Sequence, residues 1–329
     1  MPDFKVGTIE SWQNLSPILA TFRLRPEAGS RFPDYEAGQY IALRREDCRL
    51  TRRIVGADGL PRYVTDHHES GAVRRGPVTH SYSIASAPFE TAERGYLEFY
   101  VVLEADELGE PGRLTESMFR IGPAPGGTLT YVNRIVGDFT LVKRTRGIRS
   151  VLLVGTGTGL APFRSMITQL HGKAAQGDVA DGARYTLLHA NRTRAELAYH
   201  DELVEIERTG LLDFVYIGSV SRPTSEDMRD AGIGRGRANN LLRHALGMPV
   251  KEQQDLDEAD ARGEDLARSR AALEHVTAPA LPRHVSAGDL RERLDPACTV
   301  ILTCGNPALM ADIEFIARSN QIRFEKEDW

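Results

Sequence analysis

The fold is decided by residues 151–163, which read Val-Leu-Leu-Val-Gly-Thr-Gly-Thr-Gly-Leu-Ala-Pro-Phe. The apolar run at 151–154 predicts a strand that is buried on both faces. Gly155, Gly157 and Gly159 let the backbone turn sharply and bring its N–H groups close to an anion, and the following proline suits the first turn of a helix. On its own, such a turn is as compatible with a tight connection in an α/β protein as with a nucleotide site.

Downstream of this turn, apolar strands alternate with helical patterns, which predicts a parallel sheet with helices on both faces. The strands are expected at 151–154, 185–190, 214–217 and 299–304, and the helices at 162–171, 196–208, 237–246 and 307–318. Upstream, residues 6–132 show short alternating segments without a long helical pattern, which is typical of a small antiparallel barrel or sandwich. The clearest strands there are 18–24, 39–43, 81–84, 96–103 and 128–131.

Size and composition fit this two-part organisation. A chain of 329 residues, 41% hydrophobic and 26% charged, is long enough for two globular domains. The basic stretch 143–149 marks the expected boundary, so we predict domains at 1–145 and 146–329. No apolar run approaches the roughly 18 residues of a membrane span, and the N-terminus has no export signal, so we expect a cytoplasmic protein without a membrane partner.

Charge and cysteine content exclude some classes of function. The net charge of −5 argues against a general nucleic-acid binder. Three scattered cysteines, Cys48, Cys298 and Cys304, are too few for an iron–sulfur cluster, so no metal site is predicted and redox chemistry would need an organic cofactor.

Two charged stretches interrupt the order of elements. Residues 44–75 carry eight Arg against five acidic residues, which is compatible with a solvated hairpin or with a docking surface for an acidic partner. Residues 251–275 carry eight acidic against four basic residues, and we interpret them, within an insertion at about 249–290, as an exposed helical or mobile segment.

A second motif, His-Ser-Tyr-Ser-Ile-Ala-Ser at residues 80–86, precedes the glycine turn by some 70 residues. Together the two motifs resemble the ferredoxin–NADP⁺ reductase family, in particular the bacterial ferredoxin/flavodoxin reductases. That family has an Arg-x-Tyr-Ser-x-x-Ser flavin motif followed by a Gly-Thr-Gly-x-Gly-x-Ala-Pro turn. Residues 112–115 (Gly-Arg-Leu-Thr), residues 304–310 (Cys-Gly-Asn-Pro-Ala-Leu-Met) and the terminal Trp329 are similar to further family motifs.

The resemblance implies an antiparallel β-barrel domain that binds FAD, followed by a Rossmann-like domain that binds NADP(H). Tyr82 would stack on the isoalloxazine, Ser83 would lie near flavin N5, and Cys304 would lie near the nicotinamide, with Trp329 covering the flavin. These four are the candidate catalytic residues. The FAD-binding set is His80, Ser81, Tyr82, Ser83, Tyr100, Gly112, Arg113, Leu114, Thr115, Thr158 and Trp329. Tyr100 is equally compatible with a core role.

The NADP-binding set follows the strand ends of the second domain. It comprises Gly155, Thr156, Gly157, Gly159, Asn191, Arg192, Ser221, Arg222, Arg237, Gly305, Asn306 and Pro307. In matching bacterial reductases, the arginines contact the 2′-phosphate. They therefore favour NADPH, because an NAD site more often places an acidic residue there for the ribose hydroxyls.

Two positions depart from the family pattern. His80 occupies the place of an arginine that is always charged, so either His80 holds the flavin phosphates less firmly or Arg74 or Arg75 replaces it. Asp328 stands where bacterial relatives have an aromatic residue.

The implied function is FAD-dependent ferredoxin–NADP⁺ reductase activity. Hydride would pass between NADPH and flavin N5, and single electrons would pass to or from a separate ferredoxin or flavodoxin. One alternative is an NAD(P)H reductase component of an oxygenase, or a free-flavin reductase. An alternative of another class is a catalytically silent flavin-fold protein that acts as a regulatory or scaffold subunit.

Overall fold

The computed structural model describes residues 3–56, 59–103, 105, 109–122, 126–178 and 182–327. The chain forms two compact units, 1–137 and 138–329. The first unit carries antiparallel strands and the second carries parallel strands with helices, which confirms the predicted fold class.

In the described part of the first unit, six strands form an antiparallel sheet in the order β6-β3-β8-β1-β2-β7. A separate hairpin of β4 and β5 leaves this sheet between β3 and β6. The elements are β1 (Phe4–Ser16), β2 (Leu19–Pro26), β3 (Tyr40–Arg49), β4 (Thr51–Val55), β5 (Pro61–Thr65), β6 (Arg75–Ser83), α1 (Pro88–Arg94), β7 (Leu97–Val102), α2 (Arg113–Ile121) and β8 (Thr128–Val136).

The core of this unit comes from the inward-facing residues of alternating strands. Phe22 stacks between Trp12 and Phe99, with ring centroids 5.5 Å and 5.0 Å apart. Leu114 and Met118 of α2 are buried in the same cluster, because α2 packs against β3 and β6. The strand β1 was not among the clear predictions, since its glycine and polar residues dilute the alternation.

In the second unit, the described strands form one parallel sheet in the order β12-β11-β10-β9-β13-β14. The elements are α3 (Leu141–Arg144), β9 (Ser150–Thr156), α4 (Ala161–Ala175), β10 (Arg184–Asn191), α5 (His200–Thr209), β11 (Phe214–Val220), β12 (Gly234–Arg235), α6 (Ala238–Ala245), α7 (Lys251–Ala261), α8 (Ala267–Glu274), α9 (Ala287–Glu292), β13 (Thr299–Cys304), α10 (Pro307–Ser319) and β14 (Arg323–Lys326).

The central strand β9 is buried along its whole length, as its apolar run predicts. Leu152 and Val154 pack with the apolar faces of α6 and α10, where Leu241 and Ile313 are fully buried. All of these parallel strands end at the same edge of the sheet, so the loops after β9, β10, β11 and β13 meet there. No helix in the described part of the chain is long and apolar enough to cross a membrane.

The structure corrects both charged stretches. Residues 44–49 belong to β3 of the main sheet, so the basic excursion is confined to residues 50–74, around the β4–β5 hairpin. The acidic stretch 251–275 forms α7 and α8. Only α8 is mainly exposed, whereas α7 carries buried Glu252 and Ala259 and contacts α6 through Glu252.

Candidate functional site

The glycine turn lies at the carboxyl edge of the parallel sheet, between β9 and α4. A short 3₁₀ turn at Gly157–Leu160 joins the strand to the helix. Gly157 has φ of 56°, and a Cβ built there would meet no heavy atom within 4 Å, so open space lies above it. A Cβ at Gly159 would come 2.2 Å from the carbonyl oxygen of Cys304. The turn at residues 155–159, which we call the cradle, is therefore open on one side and packs against the end of β13 on the other.

The turn after β13 packs directly against this cradle. Gly305 has φ of 129°, and a Cβ there would come 2.2 Å from Thr156 Oγ1. The backbone N–H of Asn306 donates to the same Thr156 hydroxyl at 3.1 Å. Asn306 also caps α10, because its Oδ1 accepts from the N–H groups of Ala308 and Leu309, and Pro307 opens that helix. The structure thus brings together every glycine-turn and Cys-Gly-turn residue predicted for the nucleotide.

Cys304 is fully buried and hydrogen-bonded to a residue that the sequence did not indicate. Its Sγ donates to Glu327 Oε2 at 2.9 Å, and Glu327 is itself buried. Burial, followed by the charge and hydrogen bond of Glu327, raises the pKa of the Cys304 thiol well above its ordinary value. The thiol is therefore a neutral donor at physiological pH rather than a thiolate nucleophile.

A buried histidine lies on the strand beside the cradle. His189 on β10 pairs in register with Gly155 on β9, and its Nδ1 lies 3.3 Å from the hydroxyl of Tyr216. Full burial, together with the nearby His200, lowers the pKa of His189 to about 3. His189 is therefore neutral at physiological pH and adds no charge beside the glycine turn.

The predicted arginines lie at the opposite end of the same sheet edge. The backbone N–H of Arg222 donates to the carbonyl of Arg192 at 2.7 Å, so the loops after β10 and β11 are joined. The Ser221 hydroxyl donates to the carbonyl of Asn191 at 3.2 Å, and the N–H of Gly236, just before Arg237, donates to Val220 at 2.9 Å. Asn191, Arg192, Ser221, Arg222 and Arg237 therefore belong to one cluster.

Two of these three arginines carry carboxylate partners. Arg192 makes a two-pronged contact with Glu196, with Nε to Oε2 at 2.8 Å and a second bond from Nη2 to Oε1. Arg237 Nη1 donates to Glu252 Oε1 at 3.1 Å. Arg222 is exposed and has no side-chain partner among the described residues.

Sequence reasoning missed both carboxylates. The spacing of Arg192 and Glu196 at i and i+4 was a visible signal, because such pairs often contact each other. Glu252 offered no comparable signal, since α7 first has to fold onto α6 before the carboxylate reaches Arg237.

In the first unit, the predicted flavin residues follow the end of β6. His80 and Ser81 are exposed, Tyr82 is half-buried against the core, and Ser83 is buried. Burial raises the pKa of the Tyr82 phenol, which stays neutral at physiological pH. Tyr100 on β7 is only 3% exposed, which is compatible with a core role as well as with the predicted flavin contact.

The N-terminus of α2 lies beside this strand end. Gly112 precedes the helix, and Arg113, Leu114 and Thr115 form its first turn, where backbone N–H groups have no partner within the helix. The Leu114 side chain is in the core, and the Thr115 hydroxyl donates to the Gly112 carbonyl at 3.1 Å. These residues offer amide donors and the guanidinium of Arg113 to an anion.

Arg113 is also close enough to His80 for its positive charge to affect the pKa of the imidazole. Partial desolvation, and then the positive charge of Arg113, lower the pKa of His80. Arg74 and Arg75 lie five or six residues earlier on the strand, which is about 17 Å away. Arg74 faces Asp66 at 3.6 Å, and Arg75 donates to the Asp47 carbonyl at 2.9 Å. These contacts argue against the alternative in which Arg74 or Arg75 takes the place of the family arginine.

Two predicted residues stand apart from these groups. Thr158 is half-buried in the 3₁₀ turn, and its predicted flavin contact stays a prediction. Trp329, with the neighbouring Asp328, lies outside the described residues.

Comparison with known proteins finds a matching domain in the second unit. Residues 153–254 match the family model of the oxidoreductase NAD-binding domain. Methane monooxygenase component C of Methylosinus trichosporium is 34% identical over 173 residues, which are 52% of this chain and 44% of that protein. The match thus spans less than half of the relative's length.

Solved structures share the fold over the whole chain. A ferredoxin NADP⁺ reductase from Neisseria gonorrhoeae, with bound FAD and NADP, aligns over 99% of both chains with a TM-score of 0.57 and 18% identity. A cytochrome P450 reductase of Amycolatopsis aligns over 100% of this chain and 71% of its own, with a TM-score of 0.53 and 16% identity. At such identities the likeness concerns the fold.

Proposed function

We propose that this chain, which has the fold and the oxidoreductase NAD-binding domain of the ferredoxin–NADP⁺ reductase family, is a flavin-dependent reductase. It would take electrons from a nicotinamide nucleotide and pass them to a carrier protein. The observation that carries the proposal is the contact between two glycine turns, at Gly159 and at Gly305, on the carboxyl edge of the parallel sheet.

The cradle fits a dinucleotide phosphate. Open space above Gly157, beside the N-terminus of α4, suits a pyrophosphate, which binds well where a strand turns into a helix. From there, the adenosine end would extend toward Arg192, Arg222 and Arg237, and the nicotinamide toward Cys304. The clustering of the three arginines supports the predicted use of NADP(H), whereas the carboxylates on two of them oppose it.

The first unit fits FAD. The amides of the first turn of α2, which have no partner within the helix, and the charge of Arg113 suit the flavin pyrophosphate. Tyr82 offers a half-buried aromatic face, and Ser83 a buried hydroxyl, at the end of the neighbouring strand. When bound, FAD would supply the hydride acceptor and the single-electron chemistry.

Other residues of the chain would position the nicotinamide. Cys304 presents a neutral thiol whose proton is held toward Glu327, so the strand end is uncharged and tightly packed. The backbone of Glu327 is held in turn, because its N–H donates to the Thr303 carbonyl at 3.0 Å. These contacts would hold the β13 turn rigid beside the nicotinamide and keep water away from it.

Two observations bear on the identity of the carrier protein. The exposed Arg52 and Arg53 on β4 suit an acidic ferredoxin or flavodoxin. A second candidate is the reductase component of an oxygenase, which the 34% identity to methane monooxygenase component C favours.

The test uses the purified full chain. We expect it to retain FAD, to show the visible bands of an oxidised flavoprotein, and to lose them on anaerobic addition of NADH or NADPH. Retention of flavin without reduction by either nucleotide would support the silent scaffold instead. Reduction of added ferredoxin, flavodoxin or an oxygenase component then separates the two candidate acceptors.

A further inference from the structure

We infer that Glu196 and Glu252 select against the 2′-phosphate, so that the chain uses NADH in preference to NADPH. The inference rests on the proposed function, because it concerns the adenosine end of the same nucleotide site. It reverses the preference that the three arginines indicate from sequence alone.

Glu196 neutralises Arg192 from within the site. Both carboxylate oxygens of Glu196 accept hydrogen bonds from Arg192, and Glu196 is only 5% exposed. Two-pronged pairs of arginine and carboxylate are among the stronger polar contacts in proteins, particularly where water is excluded. The Asn191 side chain also donates to the Glu196 carbonyl at 2.8 Å, which fixes the loop that carries both charges.

Glu252 neutralises Arg237 from the acidic segment. One carboxylate oxygen of Glu252 accepts from Arg237 at 3.1 Å and the other accepts from Asn240 Nδ2 at 2.8 Å, and the residue is 8% exposed. The Asn240 Oδ1 accepts in turn from the N–H of Lys251, at 2.9 Å. Glu252 is thus held on both sides and is not a surface charge that can turn away.

The helix α7 that carries Glu252 is anchored through a buried arginine. Arg243 is fully buried and pairs with Asp312 of α10, with Nε to Oδ2 at 2.9 Å. Its Nη1 donates to Gln254 Oε1 at 2.8 Å and to the carbonyl of Pro249 at 3.1 Å, at the start of α7. The position of Glu252 is therefore built into the fold of the second unit.

The far end of the same segment returns to the arginine cluster. The Thr277 hydroxyl donates to the Ser221 carbonyl at 2.7 Å, and Ala280 exchanges backbone hydrogen bonds of 3.0 Å and 2.7 Å with Arg235. Gly236 has φ of 107°, and a Cβ there would come 3.2 Å from Pro279 Cα. Residues 249–280 therefore touch the arginine loops at both ends, which gives a function to a stretch that the sequence left without one.

Charge balance then decides the preference. Of the three arginines predicted for the 2′-phosphate, Arg192 and Arg237 are paired with carboxylates, and Arg222 has no carboxylate partner among the described residues. A phosphate monoester carries about −1.5 to −2 at neutral pH, so it would meet two fixed carboxylates and too little positive charge. The ribose 2′-hydroxyl of NADH can instead donate to a carboxylate, as acidic residues in NAD sites accept from it.

The test is calorimetric titration of the full-length protein with NAD⁺ and with NADP⁺, which differ only in the 2′-phosphate. We expect the wild type to bind NAD⁺ about tenfold tighter, and Glu252→Gln and Glu196→Gln each to lower the ratio of the two affinities severalfold by strengthening NADP⁺ binding. Glu258→Gln, on the same helix but paired with Arg262, serves as the matched control and should leave the ratio unchanged.

The outcomes separate the inference from the proposed function. A wild type that binds NADP⁺ more tightly, or a ratio that stays constant in both folded glutamine variants, overturns the inference and leaves the reductase proposal standing. A protein that binds neither nucleotide overturns both. Circular dichroism of each variant checks the fold. If Glu252→Gln disturbs α7, the affinity ratio of Glu196→Gln still tests the inference.

Discussion

At the scale of single residues, the most consequential substitution is His80 in place of the family arginine. Partial desolvation and Arg113 lower the pKa of His80, so the ring is neutral at pH 7. The folded state therefore disfavours protonation, and the contribution of His80 to stability falls as pH drops below its ordinary value of about 6.5. A bound pyrophosphate has the opposite effect, because it favours the charged ring. In the proposed flavin site, Arg113 would be the charged side chain that faces the phosphates at physiological pH.

We predict that His80→Arg strengthens FAD binding about tenfold at pH 7, since a charged hydrogen bond replaces a neutral one. In the wild type, affinity for FAD should rise as the pH is lowered toward 5, and this rise should disappear in the arginine variant. Quenching of FAD fluorescence on titration with apoprotein measures both. Thr79→Arg, at the neighbouring exposed position, is the control for a general gain of charge. Equal gains in both variants would mean that His80 is not at the phosphate site.

The buried pair of Cys304 and Glu327 leads to a second prediction at this scale. Because the pKa of the Cys304 thiol is raised and the side chain is fully buried, we expect iodoacetamide to leave it unmodified in the native protein at pH 7–8. Cys298 is half-buried and is the internal reference that should react. Peptide mass spectrometry after a timed reaction gives the ratio, and modification of Cys304 at the rate of Cys298 would refute the buried thiol.

At the scale of elements, two glycines of the same turn, Gly157 and Gly159, have different roles that the sequence alone does not separate. Gly157 is needed for its positive φ and the open space above it, whereas Gly159 is needed because the carbonyl of Cys304 occupies the place of a side chain. The first role concerns the ligand and the second concerns the joining of α4 to β13.

We therefore predict different losses from the two alanine variants. Gly159→Ala should lower the free energy of unfolding by about 3 kcal/mol, because the added Cβ meets backbone that cannot move aside. Gly157→Ala should cost only about 1–2 kcal/mol, the price of a left-handed residue, yet should weaken nucleotide binding. Urea unfolding and calorimetric titration with NAD⁺ measure the two effects. Equal destabilisation by both variants would contradict the assigned roles.

The β4–β5 hairpin is the second element with a testable role. Arg49 at its base donates to Thr65 Oγ1 at 2.8 Å and to the Pro111 carbonyl at 2.5 Å, so the hairpin is tied to the loop before α2. Arg52 lies 3.9 Å from Asp66, and Arg53 is exposed without a side-chain partner in the described part of the chain. Positive charge is therefore presented close to the α2 end of the first unit.

We predict that Arg52→Glu combined with Arg53→Glu slows reduction of an acidic carrier protein about tenfold at low ionic strength, with the difference fading at high salt. Arg268→Glu with Arg270→Glu, on the exposed helix α8, makes the same change in net charge elsewhere and is the control. Stopped-flow rates across a salt series provide the measurement. If both double variants slow the reaction equally, net charge rather than the hairpin steers the encounter.

At the scale of the whole molecule, the sequence predicted the order of the two folds well. The apolar run of β9, the strand–helix alternation after it and the short alternating strands before it are local patterns, and each appears in the structure. The strands β1, β12 and β14 were not predicted, because glycine, charge or short length hides their periodicity. The predicted two-domain fold is shared with solved ferredoxin NADP⁺ reductase structures, and residues 153–254 match the oxidoreductase NAD-binding domain.

The site was only partly accessible from sequence, for a physical reason. Glycine turns and strand ends depend on local backbone, so the residues around Gly155 and Gly305 were found together. The partners Glu196, Glu252 and Glu327 depend on how side chains meet after folding, and Glu252 reaches Arg237 only through a helix anchored by buried Arg243. The nucleotide preference that we infer rests on those contacts, whereas the arginines alone indicate the other nucleotide.

The most direct test of the account is anaerobic stopped-flow mixing of the FAD-loaded protein with NADH and, separately, with NADPH. The account predicts that the flavin absorbance disappears with both nucleotides and that NADH acts at much lower concentration. A protein that cannot be loaded with FAD, or whose bound flavin neither nucleotide reduces, would contradict the central claim that this chain is a nicotinamide-dependent flavin reductase.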